Sequence, residues 1–234
     1  MTETVLIPRR FCGPPDSGNG GYSCGVVGTL LEGPAEVTLR KPPALDVPLE
    51  VVRQETNVSV MSNGELVAEA KPAVIAIEAP KAPSFEEAVR ASERFLWREN
   101  HVYPTCFVCG PKRKPGDGLN VFPGAVEGRE IAAAPFIPDE TVVDADGRVL
   151  PVIVWSVLDC PSWFGFHCFN ESDGRVLLGR LAVRIDKPPQ KGDRCIVAGW
   201  SRGRDGRKIF TASALYAEDG ELLAIGESLW IALK

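Results

Sequence analysis

Apolar and polar residues alternate along most of the chain in short runs, which is the pattern of strands with one face against a core. The dipeptides Asn63-Gly64, Asp205-Gly206 and Asp219-Gly220 separate neighbouring runs and are strong signals for two-residue hairpins. The pattern therefore predicts antiparallel strands at about 35–41, 47–60, 65–78, 118–123, 129–136, 175–186, 193–202, 207–217 and 222–233.

Two other segments are apolar on nearly every side and predict buried helices. The first, residues 16–31, begins in a glycine-rich turn, and its glycines permit close contact with a neighbouring backbone. The second, residues 150–165, tolerates Pro151 in its first turn and is expected to bend at Pro161.

The chain also repeats itself. Residues 64–75 and 220–231 both begin Gly-Glu-Leu and continue as apolar strands, and a Lys-Pro-Pro precedes each of them, at Lys41 and Lys187. Copies so far apart indicate a duplicated domain, because solenoid repeats run roughly 20–50 residues.

The repeat divides the chain into a first domain over 1–80, a connector over 81–104 and a second domain over 105–234. The connector is predicted to contain a helix from Ser84 to about Arg98, because Ser84 and Glu87 have capping-box spacing.

Composition narrows the function classes. The 234 residues carry a formal net charge of -5 with acidic and basic residues intermixed, so there is no basic stripe of the kind that binds nucleic acid. The N-terminal residues do not resemble a secretion signal, and no apolar run is long enough to span a membrane. We therefore expect a cytoplasmic protein that binds neither nucleic acid nor a membrane.

Seven cysteines without an export signal favour reduced, buried thiols over a disulfide scaffold. The motif Cys106-Phe-Val-Cys109-Gly supplies two of the four ligands of a structural zinc. Further candidate ligands that folding could bring close are His101, Cys160, His167 and Cys168. A structural turn is favoured over a zinc site or a redox dithiol, so neither a metal nor a cofactor is predicted.

The order of strand, buried helix and antiparallel strands in each repeat resembles the hotdog fold, in which a curved antiparallel sheet wraps a central apolar helix. The segment 106–111, Cys-Phe-Val-Cys-Gly-Pro, followed by Gly118-Leu-Asn-Val-Phe, is similar to the opening of PaaI-like hotdog acyl-CoA thioesterases. The resemblance implies an α+β protein of two tandem hotdog domains that pack as an intramolecular pseudo-dimer.

In that family the central helix begins approximately His-Gly-Gly, and an acid follows nine positions after the histidine. The second helix of this chain has the acid, Asp159, but has Leu150-Pro151-Val152 in place of His-Gly-Gly. The first helix has Asn19-Gly20-Gly21 but Gly28 in place of the acid. Because hotdog dimers of this type build the site across their interface, the resemblance implies one composite site from the two surviving halves.

The resemblance also implies roles. The start of the first helix, at Asn19, Gly20, Gly21 and Tyr22, would bind the substrate and donate hydrogen bonds to the thioester oxygen as it gains charge. Asp159 would act as a general base or as the nucleophile. A carboxylate in so apolar a helix is costly to bury without a partner, which favours a functional role.

Structural explanations are alternatives at each position. Asn19-Gly20-Gly21 is also a common turn and helix cap, and Asp159 could end its helix or pair with an arginine. Trp155, Trp163, Phe164 and Phe166 are expected to line the core or an acyl pocket.

The same fold also supports other functions. An enoyl-CoA hydratase is disfavoured, because neither His101 nor His167 follows a suitable aspartate. A non-catalytic module that binds acyl-CoA or another apolar ligand, or a scaffold, stays as the alternative. Arg180, Arg184 and Lys187 could meet CoA phosphates, although a solvated strand edge is favoured. The sequence leaves open the acyl chain, the thioester carrier and the formation of a homo-oligomer.

Overall fold

The computed structural model describes residues 2–172 and 175–233. Its helices are α1 (Gly20–Gly28), α2 (Phe85–Glu93) and α3 (Pro151–His167). Its strands are β1 (Thr4–Val5), β2 (Ala35–Leu39), β3 (Leu49–Arg53), β4 (Val58–Ser62), β5 (Glu65–Pro72), β6 (Gly124–Ala125), β7 (Ala132–Phe136), β8 (Val176–Ile185), β9 (Cys195–Asp205), β10 (Lys208–Tyr216) and β11 (Leu222–Ala232).

Within the described residues the strands form one antiparallel sheet, in the order β1-β3-β4-β5-β2-β8-β11-β10-β9-β7-β6. Strands β1 to β5 lie on one side and β6 to β11 on the other, and β2 pairs with β8 where the two sets meet. Ala35 lies opposite Val183 and Thr38 opposite Arg180 in this pairing. The two halves of the chain are therefore joined by backbone hydrogen bonds.

Helices α1 and α3 pack against each other, and they also pack on the sheet, α1 on β2 and α3 on β9 and β10. They are apolar all round because protein covers them on nearly every side, and every residue of α3 from Ile153 to Phe166 is buried. A Cβ on Gly25 would lie 2.9 Å from Cβ of Trp155, so the glycines of α1 permit the close approach. None of the helices in the described ranges combines the length and apolar character that a bilayer crossing requires.

Helix α2 covers the opposite face of the sheet. Its capping box is present, because Ser84 Oγ accepts from the Glu87 backbone N–H at 3.1 Å and Glu87 Oε2 accepts from the Ser84 backbone N–H at 2.6 Å. Ala133 of β7 packs with α2, whereas Ala132 and Ala134 belong to the core around α3. Consecutive strand residues face opposite sides, so the connector helix is docked on β7. It ends at Glu93, five residues before the predicted end.

The predicted strand over 47–60 is two strands, β3 and β4. The residues between them are polar and exposed, and the Gln54 backbone N–H donates to the Asn57 carbonyl at 2.9 Å. Because the alternating pattern continues on both sides of this turn, the sequence pattern alone did not predict the turn.

The predicted strand over 118–123 was wrong, because this segment lies outside the sheet. The N–H groups of Leu119 and Val121 donate to the carbonyls of Phe107 and Val108 at 2.8 and 2.9 Å, and Asn120 between them has a φ of 51°. The segment therefore supports the turn that contains Cys106 and Cys109.

Candidate active site

The first half of the candidate site is the start of α1, where Asn19 caps the helix. Asn19 Oδ1 accepts a hydrogen bond from the Tyr22 backbone N–H at 2.9 Å, and the Asn19 carbonyl accepts from the Ser23 backbone N–H at 2.9 Å. An asparagine is a preferred cap because its side-chain oxygen satisfies a free helical N–H. The cap fixes the orientation of the amide, so its Nδ2 is free to donate elsewhere.

The second half is Asp159, in the middle of α3. Its side chain is buried, and Oδ2 accepts from Asn19 Nδ2 at 2.8 Å and from the Gly21 backbone N–H at 2.8 Å. A Cβ on Gly21 would lie 2.5 Å from Asp159 Cβ, so only glycine permits this contact. The fold therefore brings together three of the predicted site residues, which are separated by about 140 positions in the chain.

The pKa of Asp159 is raised to about 7, chiefly by burial and to a smaller extent by electrostatic repulsion from the Cys106 sulfur. The hydrogen bonds from Gly21 and Asn19 act in the opposite direction and favour the carboxylate. The N-terminus of α1 is the positive end of the helix dipole, which also favours a negative charge. The result is a carboxyl group that changes its charge near neutral pH.

The other carboxyl oxygen, Asp159 Oδ1, is buried without a hydrogen-bond partner in the part of the chain that the structure describes. Native proteins rarely leave such an atom unpaired unless water or a ligand completes it. Asp159 also lines a cavity, so Oδ1 is the oxygen available to a bound molecule.

The first N–H groups of α1 can be accounted for individually. Those of Gly21, Tyr22 and Ser23 donate to Asp159, to the Asn19 side chain and to the Asn19 carbonyl, respectively. The N–H of Gly20 has no acceptor among the described residues, and Gly20 lines the cavity. Gly20 therefore offers the free donor at this end of α1.

The cavity has a volume of about 240 Å³, and its wall is mainly apolar. Asn19, Gly20 and Asp159 form its polar part, and Arg40 and Lys41 also line it. The aromatic part of the wall consists of Trp97, Tyr103, Trp163, Phe164 and Trp230. Of these, Trp163 and Phe164 were sequence-based candidates, whereas Trp97, Tyr103 and Trp230 come from segments without a recognisable motif.

Two predicted residues lie elsewhere. The Tyr22 ring is stacked on Phe11, with ring centroids 3.8 Å apart, and does not line the cavity. Its backbone N–H contributes only to the Asn19 cap. Trp155 fills the groove against α1, where a Cβ on Gly28 would come within 2.6 Å of the indole. Both side chains thus have packing roles.

Three cysteines form a cluster in the wall of the same cavity. The Sγ atoms of Cys106, Cys109 and Cys160 all lie within 4.8 Å of one another, and those of Cys106 and Cys160 are 3.8 Å apart. His101 Nε2 lies 3.3 Å from Cys109 Sγ. Cys106 and Cys109 share a motif, and Cys160 was a further candidate ligand with no motif that joined it to this pair.

The cysteine thiols have different protonation tendencies. Hydrogen bonds from the thiols of Cys109 and Cys160 hold the pKa of Cys106 well below its usual value. Burial raises the pKa of Cys109, and hydrogen bonding to Cys106 raises that of Cys160. Burial also lowers the pKa of His101, which favours the neutral imidazole.

The three basic candidates for CoA phosphates do not line this cavity. Arg180 pairs with Glu36 at 3.7 Å. Arg184 pairs with Asp186 and also donates to the Ile75 carbonyl, at 2.8 Å. Lys187 pairs with Glu221 at 2.8 Å. Lys41, which occupies the equivalent Lys-Pro-Pro of the first repeat, is the lysine that lines the cavity.

No protein-family model matches the sequence, and no curated protein sequence matches it. Solved structures do match its fold over nearly the whole chain. An acyl-CoA thioesterase II, TesB2, from Mycobacterium marinum has a TM-score of 0.59 at 12% identity, covering 98% of this chain and 92% of its own. A TesB protein of Mycobacterium avium subspecies paratuberculosis has a TM-score of 0.58 at 14% identity, covering 93% of this chain and 88% of its own.

A third similar structure identifies the fold by name. It is a conserved protein of unknown function with a hotdog fold from Alicyclobacillus acidocaldarius, with a TM-score of 0.52 at 12% identity, and it covers 99% of this chain and 92% of its own. The protein therefore has the hotdog fold, as the sequence resemblance predicted.

Proposed function

We propose that the protein is an acyl-CoA thioesterase-like hydrolase with one composite site between two hotdog repeats. The repeats, over 1–80 and 105–234, would pack as an intramolecular pseudo-dimer, with 81–104 as connector. The observation that carries the proposal is the contact of Asp159 Oδ2 with Asn19 and Gly21, each at 2.8 Å. The similarity to thioesterase structures agrees with this reaction class.

In the proposed reaction, Asn19 and Gly21 hold one carboxylate oxygen of Asp159, so that the other faces the cavity. A water molecule bound to Oδ1 attacks the thioester carbon while the Asp159 carboxylate accepts its proton. The carbonyl electrons move to the oxygen, and the Gly20 N–H stabilises the resulting negative charge.

The tetrahedral intermediate then releases the thiol. The C–S bond breaks as the carbonyl reforms, and Asp159 returns its proton to the departing sulfur. The products are a carboxylic acid and the free thiol of the carrier. A pKa of about 7 suits both steps, because the group accepts and returns a proton near neutral pH.

This mechanism divides the roles predicted for the start of α1. Asn19 and Gly21 orient the acid, since their donors are committed to Asp159 Oδ2. Gly20 is the proposed donor to the substrate oxygen. The apolar, aromatic wall would bind the acyl group, with Trp163 as one of its members. The carrier would be CoA or a carrier protein in the cytoplasm.

The proposal is tested by measuring free thiol released from a panel of acyl-CoA substrates by the purified protein. Asp159→Asn is expected to lower kcat by roughly 10²- to 10⁴-fold, the usual contribution of a general base. Asp205→Asn, at the exposed end of β9, is the control and should leave kcat unchanged.

Two results would contradict the proposal: no thiol release from any substrate, or full activity in Asp159→Asn. Acyl-CoA binding measured by calorimetry without turnover, and unaffected by Asp159→Asn, would instead support the non-catalytic ligand-binding module.

A further inference from the structure

The cysteine cluster has the composition and geometry of a metal site that the hydrolytic mechanism does not use. Cys106 and Cys109 lie in one turn, and Cys160 comes from the middle of α3. All three are buried and reduced, and their Sγ atoms lie within 4.8 Å of one another. We propose that Cys106, Cys109 and Cys160 bind one zinc ion through their three thiolates.

The sulfur spacing supports a tetrahedral zinc ion. Zn–S bonds of about 2.3 Å at tetrahedral angles place two ligand sulfurs about 3.8 Å apart. The separation of Cys106 Sγ from Cys160 Sγ is 3.8 Å. Binding would therefore require little movement of these side chains.

The turn that carries Cys106 and Cys109 is tight, and a donor from α1 reaches its first sulfur. Asn19 Nδ2 donates to Cys106 Sγ at 3.7 Å. The Gly110 N–H closes the turn by donating to the Cys106 carbonyl at 2.9 Å. A Cβ on Gly110 would lie 2.5 Å from that carbonyl oxygen, so the tight turn requires a glycine here. Such donors around a ligand sulfur are the outer partners that metal sites use.

His101 acts as one of these outer partners and not as a fourth ligand. The Tyr103 backbone N–H donates to His101 Nδ1 at 2.8 Å, so Nδ1 is the acceptor nitrogen of the neutral ring. The proton then resides on Nε2, which lies 3.3 Å from Cys109 Sγ and donates to it. The lone pair that a zinc ion would need from His101 is already engaged.

Three thiolates leave the fourth tetrahedral position to a small molecule. The three cysteines line the same cavity as Asp159, so a water molecule from that cavity is the fourth ligand in this proposal. The site goes beyond the proposed hydrolase, because its ligand set exists whether or not the protein cleaves thioesters.

The test uses the full chain, purified without chelators from cells grown with zinc. Elemental analysis is expected to find one zinc per chain, and a mercurial that caps thiols should release it to a chromogenic chelator. Protein reconstituted with Co²⁺ should show two signals. One is thiolate-to-cobalt charge-transfer absorption in the near ultraviolet, and the other is the set of visible bands typical of four-coordinate cobalt.

Variants assign the ligands. Cys106→Ser, Cys109→Ser and Cys160→Ser should each lose stoichiometric zinc and weaken the charge-transfer band. His101→Ala should bind zinc roughly 10- to 100-fold more weakly, as expected for loss of an outer partner. Cys168→Ser is the matched control, because Cys168 is a half-buried thiol at the end of the same helix, and it should keep the wild-type signals.

Wild-type protein alone can overturn the proposal, whatever the variants do to folding. Seven titratable thiols in denaturant, with neither bound zinc nor cobalt charge transfer, would leave the cluster as a structural turn. A Cys106–Cys160 disulfide in mass spectra of protein prepared without reductant, with no metal, would make it a redox pair. Each readout is independent of thioester hydrolysis, so failure of either proposal leaves the other intact.

Discussion

The two carboxyl oxygens of Asp159 have different surroundings, which suits the role proposed for this residue. Oδ2 receives two hydrogen bonds from the start of α1, whereas Oδ1 is buried without a partner among the described residues. The first arrangement fixes the group and the second leaves it able to accept a proton. The fold therefore gives the two oxygens of one carboxyl group different hydrogen-bonding environments.

The pKa of Asp159 has a consequence for stability. Folding raises it from 3.8 to about 7, so between those pH values the native state keeps a proton that the unfolded chain releases. Stability contributed by the protonated group is complete below pH 3.8 and is lost as pH rises to about 7. The expected loss is on the order of 4 kcal/mol.

Asp159→Asn should remove this dependence. The wild type should lose stability as pH rises from acidic to mildly alkaline, whereas the variant should not. The difference in unfolding free energy, variant minus wild type, should therefore increase with pH, as measured by urea denaturation at a series of pH values. Parallel curves for the two proteins would show that Asp159 has an ordinary pKa. In wild type, kcat/KM should rise with pH and level off above about 7.

The two Lys-Pro-Pro segments provide a matched test of thioester binding. Lys41 and Lys187 both form exposed ion pairs, with Glu65 and Glu221, but only Lys41 lines the cavity with Asp159. Lys41→Ala should raise KM for acyl-CoA about two- to fivefold, as for loss of one exposed charge interaction, with kcat unchanged. Lys187→Ala should leave KM unchanged. Equal effects in steady-state kinetics would exclude a specific role for Lys41.

At the scale of elements, the contact between α1 and α3 determines the site. Glycines of α1 allow the two helix backbones to approach, which brings Gly21 within hydrogen-bond distance of Asp159. The same closeness explains why α1 is a poor amphipathic helix in the sequence and yet well buried.

Gly25→Ala tests this packing away from the hydrogen bonds of the site. Alanine normally favours a helix by about 1 kcal/mol over glycine. Here the added Cβ would lie 3.0 Å from Val152 Cα, and overpacking typically costs about 1–3 kcal/mol. We therefore expect a lower Tm by calorimetry.

Gly226→Ala is the control, because its Cβ would have its nearest contact at 3.2 Å, and it should cost less than Gly25→Ala. A higher Tm for Gly25→Ala would show that α1 and α3 are not in close contact.

Local patterns predicted the buried helices, the capping box and the hairpins, since each depends on residues close in sequence. The repeat and the family resemblance predicted that Asn19, Gly21 and Asp159 belong to one site. The contact of Cys160 with Cys106, and the positions of Trp97 and Tyr103 in the cavity wall, could not be predicted. They depend on how α3 packs against a distant turn, which no local pattern specifies.

For the whole molecule, the β2–β8 pairing makes the sheet continuous across the two halves. Its outermost strands, β1 and β6, have only two residues each, and short edge strands discourage pairing with other chains. The short edge strands therefore do not favour a homo-oligomer formed through the sheet edges. Assembly into a homo-oligomer stays a prediction.

The continuous sheet and the helix contact predict cooperative unfolding. All five tryptophans lie at or after Trp97, so their fluorescence reports on the second half, whereas far-ultraviolet circular dichroism reports on the whole chain. We expect the two signals to change together in urea. Separate midpoints would show that the halves unfold independently.

The distance along the chain between Asn19 and Asp159 also has a consequence during synthesis. The 140 positions between them take on the order of ten seconds to translate, and for that time the start of α1 is complete while its partner carboxylate has not been made. A chain released before residue 159 has been added therefore lacks the carboxylate that contacts Asn19 and Gly21. The candidate site can form only in a chain whose synthesis has passed the middle of α3.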